Sequence, residues 1–271
     1  MQKLKRNERI GAMIKILSDR PNHIFTLTYF SDMFVAAKST ISEDIDIAKS
    51  IMESHKLGLI ETVTGAAGGV KYITDRGPEA QEKFVNELCM KLSDPERILP
   101  GGYLYMLDVL SQPESAAKIG EVLASWFYKS HPDFVITVQT TGIPVALMAA
   151  RALNVPLLIA RRDVRISDGS LVTINYITGS AKRIQTMSLA KRAVSAGTRA
   201  LIIDDFMKGG GTAKGMMDMM REFSITVVGV GVVIATREPA RKLVSDFKAL
   251  AVLNNVDETA RKIDIKPSKW L

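Results

Sequence analysis

One cysteine and three scattered histidines in 271 residues leave few ligands for a structural transition metal. Cys89 has no partner for an internal disulfide, and a cysteine-built zinc site is excluded with it. Because it lies in the helical apolar pattern Phe84–Met90, it reads as a packing residue rather than a nucleophile. No uninterrupted apolar run reaches the length of a membrane span. The opening Met1–Arg6 leads into a charged helix rather than a secretory apolar region. No internal repeat or low-complexity tract is present. These absences set the expectation of a soluble, cytoplasmic chain with no membrane partner and no resident metal.

What remains is ample material for cores. The chain is 46% hydrophobic, and its length favours two domains. The net charge of +7 favours anionic partners without naming one. Through Asp75, ten basic residues face nine acidic ones, whereas from Arg97 onward twenty-three face fifteen. The excess therefore belongs to the C-terminal part, around Arg161, Arg162, Arg165, Lys182 and Arg183. A solvated basic face would give the same count. A pocket for a charged phosphate ligand is the sharper reading.

In the N-terminal segment, Ile10, Met13, Ile14 and Leu17 recur at helical spacing, and Leu27–Phe34 suggests a second short helix. A third, from Val35, places Ile41, Ile45, Ala48 and Met52 on one face. Strands Leu59–Thr64 and Val70–Thr74 flank a glycine-rich turn, as in a β-hairpin. Helix, helix, helix and hairpin in that order resemble a winged helix-turn-helix. The third helix then offers Lys38, Ser39, Thr40 and Ser42 near its start for base edges and phosphates. Lys5, Arg6 and Arg9 of the first helix and Lys71 of the wing supply further DNA contacts. The acids Glu43, Asp44 and Asp46 suit the dipole of the third helix. The residues divide as winged helix 1–74, helical linker 75–96 and a C-terminal domain 97–271.

Beyond the linker, strands at Phe134, Pro156, Ala200 and Val227 alternate with helices Ala116–Tyr128 and Pro144–Leu153. This is the pattern of an α/β domain with a mainly parallel sheet. The stretch Ala200–Thr212 is the most informative: a buried strand, Leu201–Ile203, ends at Asp204 and Asp205 and continues through Phe206 and Met207 into Lys208, Gly209, Gly210, Gly211 and Thr212. Open α/β sheets bind ligands at the carboxyl ends of their strands. Glycines let successive backbone amides close around an anion, and the following helix adds its positive end. Adjacent carboxylates would repel a bare phosphate, but they suit ribose hydroxyls or Mg²⁺. A sugar carrying a phosphate satisfies both halves.

The segment is similar to the phosphoribosyl-pyrophosphate motif of type I phosphoribosyltransferases. That resemblance implies that Asp204 and Asp205 hold the ribose hydroxyls while Lys208–Thr212 wrap the 5′-phosphate. It further places Thr140, Thr141 and Gly142 at the pyrophosphate, with Arg161 in reach, and Tyr176 and Lys182 on a hairpin that closes over the ligand. The motif departs from the enzymes at Lys208 and Gly209, where they usually carry two hydroxyl residues. Tyr103 and Tyr105 lie where a hood would cover the base.

A winged helix joined to such a domain resembles the purine operon regulator family of Gram-positive bacteria. The resemblance covers essentially the whole chain. It implies a homodimer that binds promoter DNA of purine genes, as repressor or activator, and uses phosphoribosyl pyrophosphate, with Mg²⁺, as effector rather than substrate. A catalytically active purine phosphoribosyltransferase is the alternative, and a winged helix serving only dimerisation is another.

Overall fold

A computed structural model describes residues 4–65, 68–162, 169–177 and 183–269. The chain divides into two compact units, Met1–Ala80 with Arg151–Asn154, and Gln81–Ala150 with Val155–Leu271.

The first unit holds α1 (Arg6–Asp19), α2 (Leu27–Phe34) and α3 (Lys38–Ser54), then β1 (Leu59–Val63) antiparallel to β2 (Gly69–Ile73). The expected helical faces are the buried ones: Met13 and Leu17 of α1 meet Phe30 and Phe34 of α2 and Ile41, Ile45, Ala48 and Met52 of α3. Thr26 Oγ1 accepts the Tyr29 amide at 3.1 Å and starts α2. Val35 ends it at φ 50°, and α3 begins at Lys38 rather than at Val35 because that left-handed residue breaks the chain direction. The wing is extended by Phe25, which exchanges two 2.8 Å backbone bonds with Val70. Gly69 is required there, since a Cβ would lie 2.1 Å from the Phe25 carbonyl oxygen.

The second unit begins within α4 (Pro78–Leu92), where Trp126 Nε1 donates to Gln81 Oε1 at 3.1 Å. Cys89 is buried on this helix, and burial pushes its thiol pKa up to about 11. It is a packing residue, as its apolar setting suggested. A two-residue ribbon, β3 (Ile98–Leu99) and β4 (Tyr103–Leu104), precedes α5 (Leu107–Ser111) and α6 (Pro113–Phe127).

The sheet follows with β5 (Phe134–Val138), β6 (Leu157–Ala160), β9 (Arg199–Met207), β10 (Thr226–Thr236), β11 (Lys248–Asp257) and β12 (Lys262–Pro267). Among the described residues its order is β12-β11-β10-β9-β5-β6, parallel except for the β11–β12 edge pair. Helices α7 (Ile143–Leu153) and α8 (Gly211–Glu222) and the antiparallel hairpin β7 (Leu171–Ile177) and β8 (Ile184–Ala190) complete the unit. β5 is buried along its whole length, as a central strand covered on both faces should be. Strands β11 and β12 escaped the sequence reading, although Ile263 and Ile265 alternate with polar neighbours as an edge strand requires.

Strand β9 also runs further than expected. Asp204 and Asp205 lie inside it rather than past its end, because β10 continues alongside and pairs Ile234 with Phe206 and Ala235 with Met207. No helix among the described residues is long and apolar enough to cross a membrane.

Candidate functional site

At the carboxyl ends of these strands lies a cavity of about 840 Å³. One wall is the segment Phe206–Ala213, where β9 gives way to the glycines and then to α8. Gly210 adopts φ +79°, a left-handed conformation natural to glycine, and immediately precedes the first residue of α8. The loop thus sits at the amino end of a twelve-residue helix, whose dipole favours an anion there. Arg162, Arg183 and Lys208 add positive charge to the lining.

Asp204 faces this cavity from a buried position, 5% exposed. Burial first, and the neighbouring Asp205 carboxyl second, raise its pKa well above the usual carboxylate range; the Arg162 guanidinium pulls the other way. Its charged form is thus disfavoured until a partner that donates hydrogen bonds or carries positive charge faces it. Asp205 is half-buried and is not among the residues that line the cavity.

The loop after β5 backs onto this acid. A Cβ at Gly142 would lie 2.9 Å from Thr137 Oγ1, 3.1 Å from Asp204 Oδ1 and 3.3 Å from the Asp205 amide nitrogen. Thr140, Thr141 and Gly142 stand beside the cavity rather than on its wall. Thr137 Oγ1 is buried and, among the described residues, has no hydrogen-bond partner.

Two expectations change here. Tyr176 is not an open anion contact: it is buried against Gly215 of α8, and its hydroxyl donates to Gln185 Oε1 at 2.8 Å. Arg161 is held in backbone pairing with Ser188 at 3.0 and 2.8 Å and is not in the cavity lining, where its neighbour Arg162 stands instead. Lys182 lies outside the described residues.

Of the other walls, sequence reasoning pointed only to Tyr103 and missed the rest. Gly101–Leu104 and Met106 form one, Tyr103 among them while Tyr105 stands off it. Leu253–Val256 and Glu258, at the end of β11, form the other. Glu258 Oε2 accepts the Gly101 amide at 3.3 Å and ties the two together. Nothing local in the sequence announces a pairing across 157 positions.

In the first unit, Lys5, Lys38, Ser39 and Ser42 are exposed and Thr40 is half-buried. Arg9 is not available for DNA. It is 7% exposed, and its Nε donates to the fully buried Asp44 at 2.6 Å. Asp44 thus serves an ion pair rather than the helix dipole. Arg6, about half exposed, spans Glu43 at 2.9 Å and Asp44 at 3.2 Å. Lys71 is largely covered and donates to Asn22 Oδ1 at 3.1 Å, with Glu61 at 3.6 Å.

Comparison with known proteins agrees with both halves of this description. Residues 5–74 match the bacterial purine repressor N-terminal domain, and residues 107–265 match the phosphoribosyl transferase domain. The purine biosynthesis transcriptional repressor PurR of Bacillus subtilis is 44% identical, over 99% of this chain and 94% of its own length. The purine biosynthesis transcriptional activator PurR of Lactococcus lactis is 38% identical, over 97% of each chain. In fold, adenine phosphoribosyltransferase from Rhodothermus marinus superimposes with a TM-score of 0.52 at 20% identity, covering 62% of this chain and 97% of that one. With both domains matched in this order and full-length relatives above the level of chance likeness, the chain belongs to the bacterial purine repressor family.

Proposed function

We propose that this chain regulates transcription of purine biosynthesis genes as a cytoplasmic homodimer, binding promoter DNA through its winged helix and phosphoribosyl pyrophosphate through the cavity. The observation that carries the effector half is the convergence of Asp204 and Lys208–Thr212 on one wall of one cavity. Amides of the glycine loop and the amino end of α8 would hold the 5′-phosphate. Asp204, with Asp205 beside it, would accept from the ribose hydroxyls. Arg162 and Arg183 would face the diphosphate, with the Thr140–Gly142 loop next to them.

Mg²⁺ would arrive on the ligand. Among the described residues there is no cluster of three or more His, Cys, Asp or Glu side chains to cage an ion. Mg²⁺ commonly keeps its waters and sits on phosphate oxygens with few protein ligands, so the site suits a magnesium complex of the diphosphate.

Effector and DNA would communicate by linkage: a ligand that binds free and DNA-bound protein unequally shifts DNA affinity by the same factor. The sign is not set by the family, since one relative is named a repressor and another an activator. Fluorescence anisotropy of a purine-promoter duplex, titrated at fixed salt with and without Mg²⁺ and phosphoribosyl pyrophosphate, tests the proposal. A ligand-dependent affinity is expected. Ligand binding with no promoter binding, together with sustained nucleotide formation, would point instead to an enzyme.

A further inference from the structure

We propose that Lys242 is a positioning residue for the anion loop, holding the Lys208 carbonyl away from the cavity so that the Gly209 and Gly210 amides face into it. This rests on the reading of the cavity as a phosphate site. Lys242 is 34 residues from the loop in sequence, is not part of the cavity lining, and would touch no ligand.

Its ammonium has three protons to give, and three acceptors surround it. Nζ lies 2.7 Å from the Lys208 carbonyl oxygen, 2.8 Å from that of Pro239 and 3.4 Å from Thr236 Oγ1. The next residue adds a second clamp: the Leu243 amide donates to the Gly209 carbonyl at 2.9 Å. Behind Gly210 the same segment leaves little room, with a Cβ there only 3.3 Å from the Leu243 nitrogen and 3.4 Å from that of Val244.

Peptide geometry supplies the consequence. In a planar trans peptide the carbonyl and the following N–H point in opposite directions. Fixing the Lys208 carbonyl on Lys242 therefore turns the Gly209 N–H the other way, and fixing the Gly209 carbonyl on Leu243 does the same for the Gly210 N–H. Both residues line the cavity, so their amides are aimed where an anion would sit. A carbonyl swung inward would instead repel a phosphate. Preorganised donors matter because the cost of orienting them is met before the ligand arrives.

The test uses the full-length protein labelled with ¹⁵N, and its Lys242→Met and Arg241→Met variants. Arg241 is the exposed neighbour and controls for loss of one positive charge. Ribose 5-phosphate and the magnesium complex of phosphoribosyl pyrophosphate are titrated into each. In the wild type, the Gly209 and Gly210 amide protons are expected to shift downfield with either probe. Lys242→Met should weaken binding by roughly tenfold or more and lose those shifts, in a protein that still melts cooperatively, while Arg241→Met binds normally.

Wild-type affinity in Lys242→Met, or ribose 5-phosphate binding to the wild type with both glycine amides unmoved, overturns the inference. Ribose 5-phosphate shifts at these amides that Lys242→Met abolishes, without any response to phosphoribosyl pyrophosphate, would instead count against the proposed effector and leave the role of Lys242 supported. Wild-type amides that stay unmoved overturn the inference even if the methionine variant does not fold.

Discussion

Arg9 Nε lies 2.6 Å from Asp44 Oδ2, joining α1 to α3 through an arginine side chain 8% exposed and a carboxylate with no exposure. The pair anchors the helix that carries Lys38 and Ser42 against α1. Breaking one member leaves the other charge buried, which typically costs about 3–5 kcal/mol, whereas replacing both by apolar groups is often neutral. Asp44→Asn is therefore expected to lower the stability of the winged helix by about 3 kcal/mol, with Arg9→Met and Asp44→Leu together recovering most of it. Urea denaturation read by hydrogen exchange at α1 and α3 amides checks this. A neutral single substitution would show that the pair contributes little.

That pair also marks where the sequence stops being legible. The helical faces of α1 and α3 repeat every three to four residues, so Met13, Ile41, Ile45 and Met52 announce themselves as core. Leu201–Ile203 and the glycines after Met207 are equally local signals. Arg9 is different: an arginine near other cations reads as a DNA contact, and only a partner 35 positions away turns it inward. Tyr176 misleads in the same manner, because its packing against Gly215 depends on how a hairpin meets a helix. The Phe206–Ala213 wall was legible because one contiguous motif builds it; of the others only Tyr103 was, because β11 and the β3–β4 ribbon meet only through the fold.

Asp204 is expected to cost the fold stability that its ligand would repay. Its pKa is raised, so the folded state holds this proton more tightly than the unfolded chain does. The contribution is most favourable below the ordinary carboxylate value and is lost as pH rises from there through the folded value. Asp204→Asn carries no charge and escapes that loss. At pH 7 the variant should be more stable by roughly 1 kcal/mol, a gain of a few degrees in Tm, and should not respond to phosphoribosyl pyrophosphate. Melting curves from pH 4 to 8 should show the two proteins diverging upward in pH. A variant that melts below the wild type at pH 8 contradicts the assignment.

Gly142 tests whether the loop beside Asp204 must stay close. An added methyl would press on Thr137 Oγ1, on Asp204 Oδ1 and on the Asp205 amide nitrogen, two of them in the acid pair itself. Gly142→Ala should cost about 1–3 kcal/mol by overpacking and weaken ligand binding at least tenfold by displacing the acids. Gly11, inside α1 with open space around it, should behave oppositely. There the same substitution should stabilise by up to about 1 kcal/mol, because alanine loses less backbone freedom in a helix. Calorimetric titration and thermal melts on the two variants separate crowding from a general effect of the added methyl.

DNA contacts can be sorted from structural cations by salt. A lysine that neutralises a phosphate releases about one counterion, so its removal lowers the slope of log affinity against log salt by roughly one. Lys38 is exposed at the first turn of α3 and should behave so: Lys38→Ala is expected to weaken promoter binding, most at low salt, with little change in Tm. Lys71, largely covered and bonded to Asn22, should not. Its replacement should lower the stability of the wing while leaving the salt slope of the folded fraction near that of the wild type. If Lys71→Ala alone reduced the slope, the wing lysine would leave Asn22 on binding and the recognition surface would have to be redrawn around the hairpin.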